Sequence, residues 1–397
     1  MEYSSPDRVA VKAAWSTCSA RCLRPKDPPI ASTPSLPRHA LVVGATGIAG
    51  SAVRDRLIAE GWPVTTLSRS VGMPVPGTRH IQADLRSAVD LERALRDEHP
   101  THVFFTAWSR QNSEAANIEV NAGMLRDLLA ALKHTPVEHV ALMTGLKHYL
   151  GPFEAYAAGK MADTPFHEEE PRLPVNNFYY AQEDELWAAA ARQGFAWSVH
   201  RAHTVVGHAV GNAMNMGLTL AVQATISREF DRPFIFPGSE TQWNGVTDMT
   251  DAGLLAEQMV WAGTTPGVEN QAYNIVNGDV FRWRSLWPRI AAYFGVEPEG
   301  YIGEPRPLEV QMAGAAEEWQ AIALRYDLVE PDSTRLASWW HTDGDLGRNI
   351  EVITDMSKSR EAGFLAYRRT ERAFMELFNR LRAERLIPAA TAQSTRP

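Results

Sequence analysis

Residues 39–62, which read HALVVGATGIAGSAVRDRLIAEGW, carry the strongest indication of the fold. The run from Ala40 to Val43 is apolar and rich in β-branched residues, which predicts a buried strand. Three glycines, Gly44, Gly47 and Gly50, follow it at three-residue intervals. The residues after them place apolar side chains at helical spacing. A strand, a glycine turn and a helix in this order are typical of the first unit of a nucleotide-binding sheet.

The glycine turn has a physical reason for its composition. Gly44 permits the tight turn after the strand, and Gly47 lets the backbone approach a pyrophosphate at the start of the helix. Unpaired N–H groups and the helix dipole favour negative charge at that end of a helix. The turn therefore predicts a dinucleotide site.

The chain beyond this unit keeps alternating between strands and helices. We predict further strands over residues 63–70, 78–85, 101–108, 137–145 and 195–207, and helices over residues 91–100, 121–135 and 179–194. Such alternation gives a parallel sheet with helices on both faces. The predicted fold class is therefore α/β, a Rossmann-type doubly wound parallel sheet with a smaller C-terminal α/β substrate lobe.

The composition divides the chain into three parts. Residues 1–37 are rich in proline and serine without periodicity, which predicts a disordered N-terminal tail. We expect the dinucleotide-binding core over residues 38–206. Residues 207–397 are expected to form mainly the substrate-binding lobe, with some segments returning to the core. The two cysteines, Cys18 and Cys22, both lie in the tail and make a poor metal site, so no metal is expected.

The bulk composition excludes several classes of protein. The 397 residues are 45% hydrophobic and 22% charged, as in ordinary globular proteins. The net charge of −8 disfavours nucleic acid and anionic membranes as partners. No apolar run approaches the roughly 18 residues that a membrane span needs. Because cysteines are absent after residue 22, the sequence suits a reducing compartment, and we expect a cytoplasmic protein.

The end of the second predicted strand bears on the choice of nucleotide. NAD-binding proteins of this fold place an acidic residue there to hold the ribose hydroxyls. Ser68 and Arg69 stand at that point instead. Because an arginine can pair with a 2′-phosphate that a carboxylate would repel, NADPH/NADP+ is the expected cofactor. Asp84, after the third strand, either accepts a hydrogen bond from the adenine amino group or caps the following helix.

The fifth predicted strand ends in residues 144–154, TGLKHYLGPFE, which put Lys147 at the edge of the sheet. The usual short-chain dehydrogenase/reductase arrangement has Tyr-x-x-x-Lys on the next helix. Here Glu183, not lysine, stands four residues after Tyr179. The helix lysine is missing, and a lysine follows the strand instead.

This pattern resembles the family of progesterone 5β-reductase and iridoid synthase, enone reductases within the extended short-chain dehydrogenases. The resemblance spans most of the chain after residue 37 and rests on an ordered set of motifs. These are GATGIAG (44–50), TGLKHYLGPFE (144–154), NFYYAQED (177–184), WSVHRAHTVVG (197–207), NIVNGDVFRWRSLW (274–287) and WW (339–340).

The resemblance implies a site and a reaction. Tyr179 and Lys147 carry over as the catalytic pair, which would stabilise the enolate formed when a hydride from NADPH reaches the β-carbon of an enone or enal. The expected cofactor contacts are Gly44, Thr46, Gly47, Ile48, Gly50, Ser68, Arg69, Asp84, Leu85, Thr106, Ala107, Trp108, Thr144, Gly145, Lys147, Tyr179 and Val206. The expected substrate-pocket residues are Trp108, Phe153, Tyr156, Met216, Trp340 and His341. A homodimer is compatible with the resemblance.

The sequence departs from the family at two positions. Proline and glycine commonly follow the arginine of the sixth strand, whereas Ala202 and His203 follow Arg201 here. His203 then either contacts the nicotinamide carboxamide or fills the core. His341 stands where the family often has a phenylalanine that covers the substrate, which counts against a purely apolar substrate.

Other functions stay open at this point. Carbonyl reduction and sugar-nucleotide epimerisation are run by extended relatives, although the missing helix lysine counts against an epimerase. A non-catalytic regulator that senses NADP(H) is an alternative of another class. The retention of Tyr179 and Lys147 argues against it, because such a protein needs neither residue.

Overall fold

The computed structural model describes residues 37–69, 74–152 and 163–389. All of them belong to one compact unit, Pro37–Pro397. The predicted tail over residues 1–37 lies outside the described residues except for Pro37, as do Cys18 and Cys22. The division of the remaining chain at residue 206 stays a prediction.

The strands run in chain order from β1 to β11. They are β1 (Ala40–Val43), β2 (Val64–Ser68), β3 (Thr78–Gln82), β4 (His102–Phe105), β5 (His139–Gly145), β6 (Ala196–Ala202), β7 (Val205–Val206), β8 (Phe234–Ile235), β9 (Thr250–Asp251), β10 (Gln271–Ile275) and β11 (Pro298–Glu299). Seven of them form one sheet in the spatial order β10-β6-β5-β4-β1-β2-β3. Every pairing in that sheet is parallel, so the predicted fold class is confirmed.

The helices connect and cover these strands. They are α1 (Ile48–Ala59), α2 (Ala88–Leu95), α3 (Glu114–Ala131), α4 (Lys147–Leu150), α5 (Phe178–Gln193), α6 (Met216–Glu229), α7 (Glu240–Asn244), α8 (Ala252–Thr264), α9 (Trp283–Phe294), α10 (Leu308–Gln311), α11 (Ala315–Tyr326), α12 (Trp339–Leu346), α13 (Ser357–Glu361) and α14 (Thr370–Ala383). A 3₁₀ turn covers Ser333–Arg335.

Two apolar cores sandwich the sheet. The side chains of β1 alternate between them, as period-two geometry requires. Leu41 and Val43 pack on the face covered by α2, α3 and α5, while Ala40 and Val42 pack on the face covered by α1 and α8. A third core joins α6, α9, α11 and α14 in the C-terminal half.

The structure corrects several element boundaries. The sixth strand ends at Ala202, not at Gly207, because the N–H of His203 bonds the Thr250 hydroxyl instead of a neighbouring strand. Residues 205–206 then pair with β9. The segment QAYNIVNG supplies β10, which joins the main sheet beside β6.

Helix starts also differ from the expectation. α3 begins at Glu114, seven residues before the predicted start, because the Ser113 hydroxyl caps it by accepting from the N–H of Ala116. The N-cap of α2 is Ser87, so the interpretation of Asp84 as that cap is wrong. Ser87 sits one position before the helix and accepts from the N–H of Asp90.

No helix in the part of the chain that the structure describes is long and apolar enough to cross a membrane.

Candidate active site

A cleft of about 1050 Å³, counting its open mouth, lies at the carboxyl ends of the central strands. Ligands of open parallel sheets bind at this edge. The cleft brings together twelve residues that the sequence had singled out: Gly47, Ile48, Thr106, Ala107, Trp108, Thr144, Gly145, Lys147, Tyr179, Ala202, His203 and His341.

The glycine turn forms the floor of one end of the cleft. Gly44 has φ +86°, and a Cβ there would lie 2.9 Å from the backbone nitrogen of Ala107. A Cβ on Gly50 would lie 2.1 Å from the carbonyl oxygen of Gly44, so neither position admits a side chain. Gly47 caps α1 without any side-chain hydrogen bond, and the first turn of α1 holds no acidic residue. The start of α1 therefore has neither a side-chain cap nor a carboxylate that would compete with an anion for its backbone N–H groups.

Basic residues lie beside the ends of β2 and β3. Arg69 is exposed at the end of β2. Arg86, which the sequence reading missed, places a guanidinium nitrogen 2.8 Å from Asp84. Its hydrogen bond is the main cause of the lowered pKa of Asp84, and the charge of Arg69 contributes. Two guanidinium groups thus lie near Asp84, where the sequence expected the adenosine end of the cofactor.

The two adjacent tyrosines at the start of α5 have different surroundings. Tyr179 lines the cleft, and a Cβ added to Gly145 would lie 3.3 Å from its hydroxyl oxygen. Tyr180 is buried, and its hydroxyl donates to the carbonyl of His148 and accepts from the N–H of Leu173. The Tyr180 hydroxyl is therefore occupied in a structural contact, while the Tyr179 hydroxyl lies beside the end of β5.

Lys147 is the first residue of α4 and faces the same cleft. Its Nζ lies 5.2 Å from the ring centre of Phe178 and 5.8 Å from that of Trp108. These aromatic faces favour a cation. The ammonium group is thus held on the side of the cleft where α5 begins.

A single buried amide connects Lys147 to Tyr179. Asn177 donates from Nδ2 to the carbonyl of Lys147 at 2.7 Å. Its Oδ1 accepts from the N–H of Tyr179 at 3.0 Å and thereby caps α5. Because Asn177 is 2% exposed, both bonds are shielded from water. An asparagine directly before a helix is a recognisable cap signal, whereas no sequence pattern indicates the bond to Lys147.

Glu183 occupies the position of the usual helix lysine. The residue is fully buried and does not line the cleft. Its carboxylate lies 2.9 Å from Arg172 and 3.5 Å from Arg201. An ion pair beneath the site therefore replaces the lysine that short-chain dehydrogenases hold there.

His203 belongs to a polar chain on another wall of the cleft. Its Nδ1 lies 2.8 Å from Asp248 Oδ1, and its Nε2 lies 3.1 Å from Arg348. Because arginine can only donate, Nε2 must accept, and the ring proton must sit on Nδ1. Arg348 also donates to Asp345. Arg348 and Asp345 both line the cleft, and the sequence reading missed them.

His341 lies next to this chain and is 5% exposed. Burial lowers its pKa, as do the positive charges of Arg348, Arg110 and Lys147, while Asp345 acts in the opposite direction. The Nδ1 atom of His341 has no hydrogen-bond partner among the described residues. The ring is therefore neutral near pH 7, and its Nε2 lies 3.9 Å from Asp345 Oδ2.

The remaining predicted site residues lie outside the cleft lining. Val206 and Met216 are buried in the C-terminal core. Trp340 is 38% exposed and stacks on the guanidinium of Arg110 at 4.1 Å. Gly44 and Gly50 support the turn from behind, Thr46 is exposed, Ser68 ends β2 and Leu85 packs against the sheet core. Phe153 and Tyr156 lie outside the described residues. Gln182, Asn212 and Met214 line the cleft without having been predicted.

Comparisons with known proteins agree with the fold and the motifs. A family model described as a PRISE-like Rossmann-fold domain matches residues 78–388. The chain is 36% identical over 364 residues to 3-oxo-Delta(4,5)-steroid 5-beta-reductase of Arabidopsis thaliana, which covers 88% of this chain and 93% of the relative. It is 34% identical over 366 residues to (S)-8-oxocitronellyl enol synthase CYC2 of Camptotheca acuminata, with the same coverage of 88% and 93%.

A solved structure with low sequence identity to this chain has a similar fold. WbmG of Bordetella bronchiseptica, in complex with NAD, superimposes with a TM-score of 0.61 at 14% identity, which covers 92% of this chain and 100% of WbmG.

Proposed function

The chain belongs to the PRISE-like Rossmann-fold family of oxidoreductases, and from that premise we propose that it reduces the C=C bond of α,β-unsaturated carbonyl compounds with NADPH. The two relatives named above are a Δ4,5-steroid reductase and an enol synthase. Both names describe chemistry at an enone or enol, which is the chemistry that the residues of this cleft suit.

The observation that carries the proposal is the shared cleft of Tyr179, Lys147 and the glycine turn. Addition to the β-carbon of an enone builds negative charge on the carbonyl oxygen. A phenol and an ammonium group stabilise that charge when they are aimed at it before the reaction begins. Residues from α1, α4 and α5 line one cleft, so a single ligand can reach all three.

The roles of the side chains follow from their chemistry. When bound, the reduced nicotinamide supplies a hydride to the β-carbon of the substrate. The Tyr179 hydroxyl donates a hydrogen bond to the enolate oxygen. Lys147 raises the local positive potential and can hold the nicotinamide ribose. Proton transfer to oxygen is not required, because water can protonate the enolate at carbon.

The preference for NADPH is supported by Arg69 and Arg86. Both guanidinium groups lie close to Asp84 beyond the edge of β2 and β3. A 2′-phosphate placed there can accept charge-assisted hydrogen bonds from them. No acidic residue stands at the end of β2 to hold the free ribose hydroxyls of NAD.

The test is turnover of NADPH with a panel of 2-cyclohexen-1-one, citral and progesterone, with product identification. We expect saturated carbonyl products. An allylic alcohol would support a carbonyl reductase instead. NADPH binding without turnover would support a regulator.

A pair of variants tests the assignment of the phenol. We expect Tyr179→Phe to lower kcat about 100-fold or more, because losing one oxyanion donor costs about 2.7–4 kcal/mol. Its affinity for NADPH should stay within about threefold. Tyr180→Phe is the matched control, since it removes the neighbouring hydroxyl, which bonds backbone groups outside the cleft. An unchanged kcat in Tyr179→Phe would remove that residue from the mechanism.

A further inference from the structure

Helix α3 carries a polar face that is turned towards the protein. Glu114, Asn117 and Asn121 follow one another at intervals of three and four residues, so they lie on the same face of the helix. Asn117 is 9% exposed and Asn121 is fully buried. Buried polar side chains need hydrogen-bond partners, and the partners of this face include backbone groups of two segments that lead into the cleft.

Two members of the polar face hold the segment that follows β4. Asn121 Oδ1 accepts from the N–H of Ser109 at 2.7 Å, and Asn121 Nδ2 donates to the carbonyl of Ser109 at 2.9 Å. Asn117 Oδ1 accepts from the N–H of Gln111 at 2.8 Å. Trp108, which lines the cleft, directly precedes Ser109. The polar face therefore fixes the backbone next to Trp108.

The remaining member, Glu114, contacts the start of α5. Its Oε1 accepts from the N–H of Phe178 at 2.7 Å, and its Oε2 accepts from Asn117 Nδ2 at 3.0 Å. Phe178 is the first residue of α5, and its N–H is one of the donors for which a helix offers no internal partner. A carboxylate at this end of a helix also interacts favourably with the helix dipole. Glu114 thus stabilises the start of α5 from another helix.

The residue after Phe178 is the candidate oxyanion donor, Tyr179, whose own N–H is bonded by Asn177. We propose that Glu114 is a positioning residue: by holding the first turn of α5, it sets where the Tyr179 hydroxyl meets the carbonyl oxygen of the substrate. Glu114 does not line the cleft that contains Tyr179, so it acts through the backbone of α5. This inference rests on the proposed reductase function and deepens it.

Two other roles for Glu114 give different expectations. A contact that only stabilises the fold would change the melting temperature without changing the rate of the folded protein. A contact with a ligand would change a KM, and Glu114 does line a smaller pocket together with Trp108 and Lys147. A positioning role changes kcat instead, because a small displacement of a reacting group costs up to about 100-fold in rate.

The experiment measures the steady-state kinetics of Glu114→Ala with NADPH and 2-cyclohexen-1-one, and the melting temperature shows that the variant is folded. We expect kcat to fall about tenfold, with both KM values within about threefold of those of the natural protein. Glu119→Ala is the matched control, because it makes the same change at an exposed position of the same helix. It should leave kcat unchanged.

A pair of conservative substitutions tests the hydrogen bonds themselves. Glu114→Gln keeps an acceptor for the N–H of Phe178 but turns an amide donor towards Asn117 Nδ2, which is also a donor. Adding Asn117→Asp removes this conflict, because a carboxylate there can accept from the side chain at position 114 and from the N–H of Gln111. Glu114→Gln should therefore lower kcat, and the double variant should recover most of it.

Three outcomes would overturn the inference. They are an unchanged kcat in Glu114→Ala, a kcat of the double variant as low as that of Glu114→Ala, and a change confined to a KM. The last of these would make Glu114 a contact of the substrate or the cofactor.

A binding measurement keeps the inference separate from the proposed reaction. The enolate of 1,3-cyclohexanedione, present at pH 8, resembles the anion that hydride addition forms, and cyclohexanone is its neutral counterpart. Titration of each onto the protein saturated with NADP+ gives the ratio of their affinities without turnover. We expect Glu114→Ala to lower the preference for the enolate about tenfold, as Tyr179→Phe should also do.

The two readouts together show which proposal fails. If the natural protein did not reduce enones but Glu114→Ala lowered the preference for the enolate, only the proposed reaction would be overturned. If the natural protein reduced enones and the preference for the enolate was equal in Glu114→Ala, only the role of Glu114 would be overturned.

Discussion

Asn177 shows how one side chain can connect two candidate catalytic residues. Its amide donates to the backbone of Lys147 and accepts from the backbone of Tyr179. The two catalytic candidates lie on different elements, α4 and α5, and no helical repeat fixes their spacing. The usual Tyr-x-x-x-Lys arrangement obtains that spacing from a single helix. Here a buried asparagine supplies it.

Replacing Asn177 by serine tests this role. Serine can cap α5 but is too short to reach the Lys147 carbonyl. We expect kcat to fall about tenfold, because small misplacements of reacting groups cost up to about 100-fold, while the melting temperature changes little. Ser87→Ala, which removes the cap of α2 away from the cleft, serves as the control. It should lower stability by about 1 kcal/mol and leave kcat unchanged. If Asn177→Ser kept the full kcat, the hydrogen bond from Asn177 to the Lys147 carbonyl would have no catalytic role.

A single substitution at Arg69 tests which nicotinamide cofactor the protein prefers. Arg69→Asp replaces a guanidinium group, which can pair with phosphate, by a carboxylate, which repels phosphate and can accept from ribose hydroxyls. We expect the ratio of kcat/KM for NADPH over NADH to fall at least about tenfold. Lys133→Asp, an equal charge change at an exposed site after α3, controls for long-range electrostatics. Equal ratios in Arg69→Asp and the natural protein would exclude Arg69 as the phosphate reader.

At the scale of the element, α5 carries both a residue that lines the cleft and a buried residue that supports the fold beneath it. Its first turn presents Tyr179 to the cleft. One turn later Glu183 points into the protein, where Arg172 and Arg201 flank its carboxylate. A lysine at position 183 would meet these two cations. The positive charges of Arg172 and Arg201 therefore disfavour a lysine at position 183, the position that usually holds the catalytic lysine.

Removing the Glu183 charge should destabilise the protein strongly. Glu183→Gln leaves the buried Arg201 without its carboxylate, and breaking a buried ion pair costs about 3–5 kcal/mol. Asp184→Asn is the matched control, because Asp184 is exposed and pairs with the same Arg172 at 2.8 Å. A pair of that kind contributes about 0–1 kcal/mol. The measurement is urea denaturation of both variants, and equal losses would contradict the structural role of Glu183.

At the scale of the whole molecule, the sheet buries two histidines, His139 and His200, that do not line the cleft. His139 Nε2 and His200 Nε2 both contact the Ser198 hydroxyl, at 2.8 and 2.9 Å. His200 Nδ1 contacts the Gln258 oxygen at 2.8 Å, so its proton lies on Nδ1. Burial lowers the pKa of His139 to about 3 and that of His200 to about 4. Both rings are neutral in the folded protein at pH 5–8.

The buried His139 and His200 should make the folded protein less stable at acidic pH. The pKa of each histidine in the unfolded chain is near 6.5, which is higher than its pKa in the folded protein. Below pH 6.5 the unfolded chain therefore binds protons at these histidines that the folded protein does not bind. The free energy of unfolding should therefore fall as pH drops from about 6.5 towards 4, by about 1.4 kcal/mol per pH unit for each histidine. Glu168, whose pKa is raised by burial, acts in the opposite direction.

The test compares stability at pH 7.5 and 5.5 by urea denaturation. His200→Gln should show a smaller loss between the two pH values than the natural protein. His99→Gln, at an exposed position, should show the same loss as the natural protein. An identical loss in all three proteins would mean that His200 does not contribute.

Much of the fold followed from local patterns. β1 lies at Ala40–Val43 as expected, because four apolar residues before a glycine turn have few alternatives. The parallel order also followed, since strands separated by helices cannot pair as hairpins. The boundaries that failed, at β6 and α3, were decided by side-chain bonds of Thr250 and Ser113. Such side-chain bonds set where an element begins or ends, and the apolar periodicity of the sequence does not reveal them.

Apolar periodicity and short motifs were enough to predict the sheet, the glycine turn and the candidates Tyr179 and Lys147, because both are local properties of the chain. Only the tertiary structure decided that Asn177 joins this pair, and that His203 and His341 share one wall with Asp345 and Arg348. The physical reason is distance along the chain. The contacts of Asn177 with Lys147 and of His203 with Arg348 join residues 30 and 145 positions apart, so they depend on how loops return to the sheet edge, and no local pattern records that path.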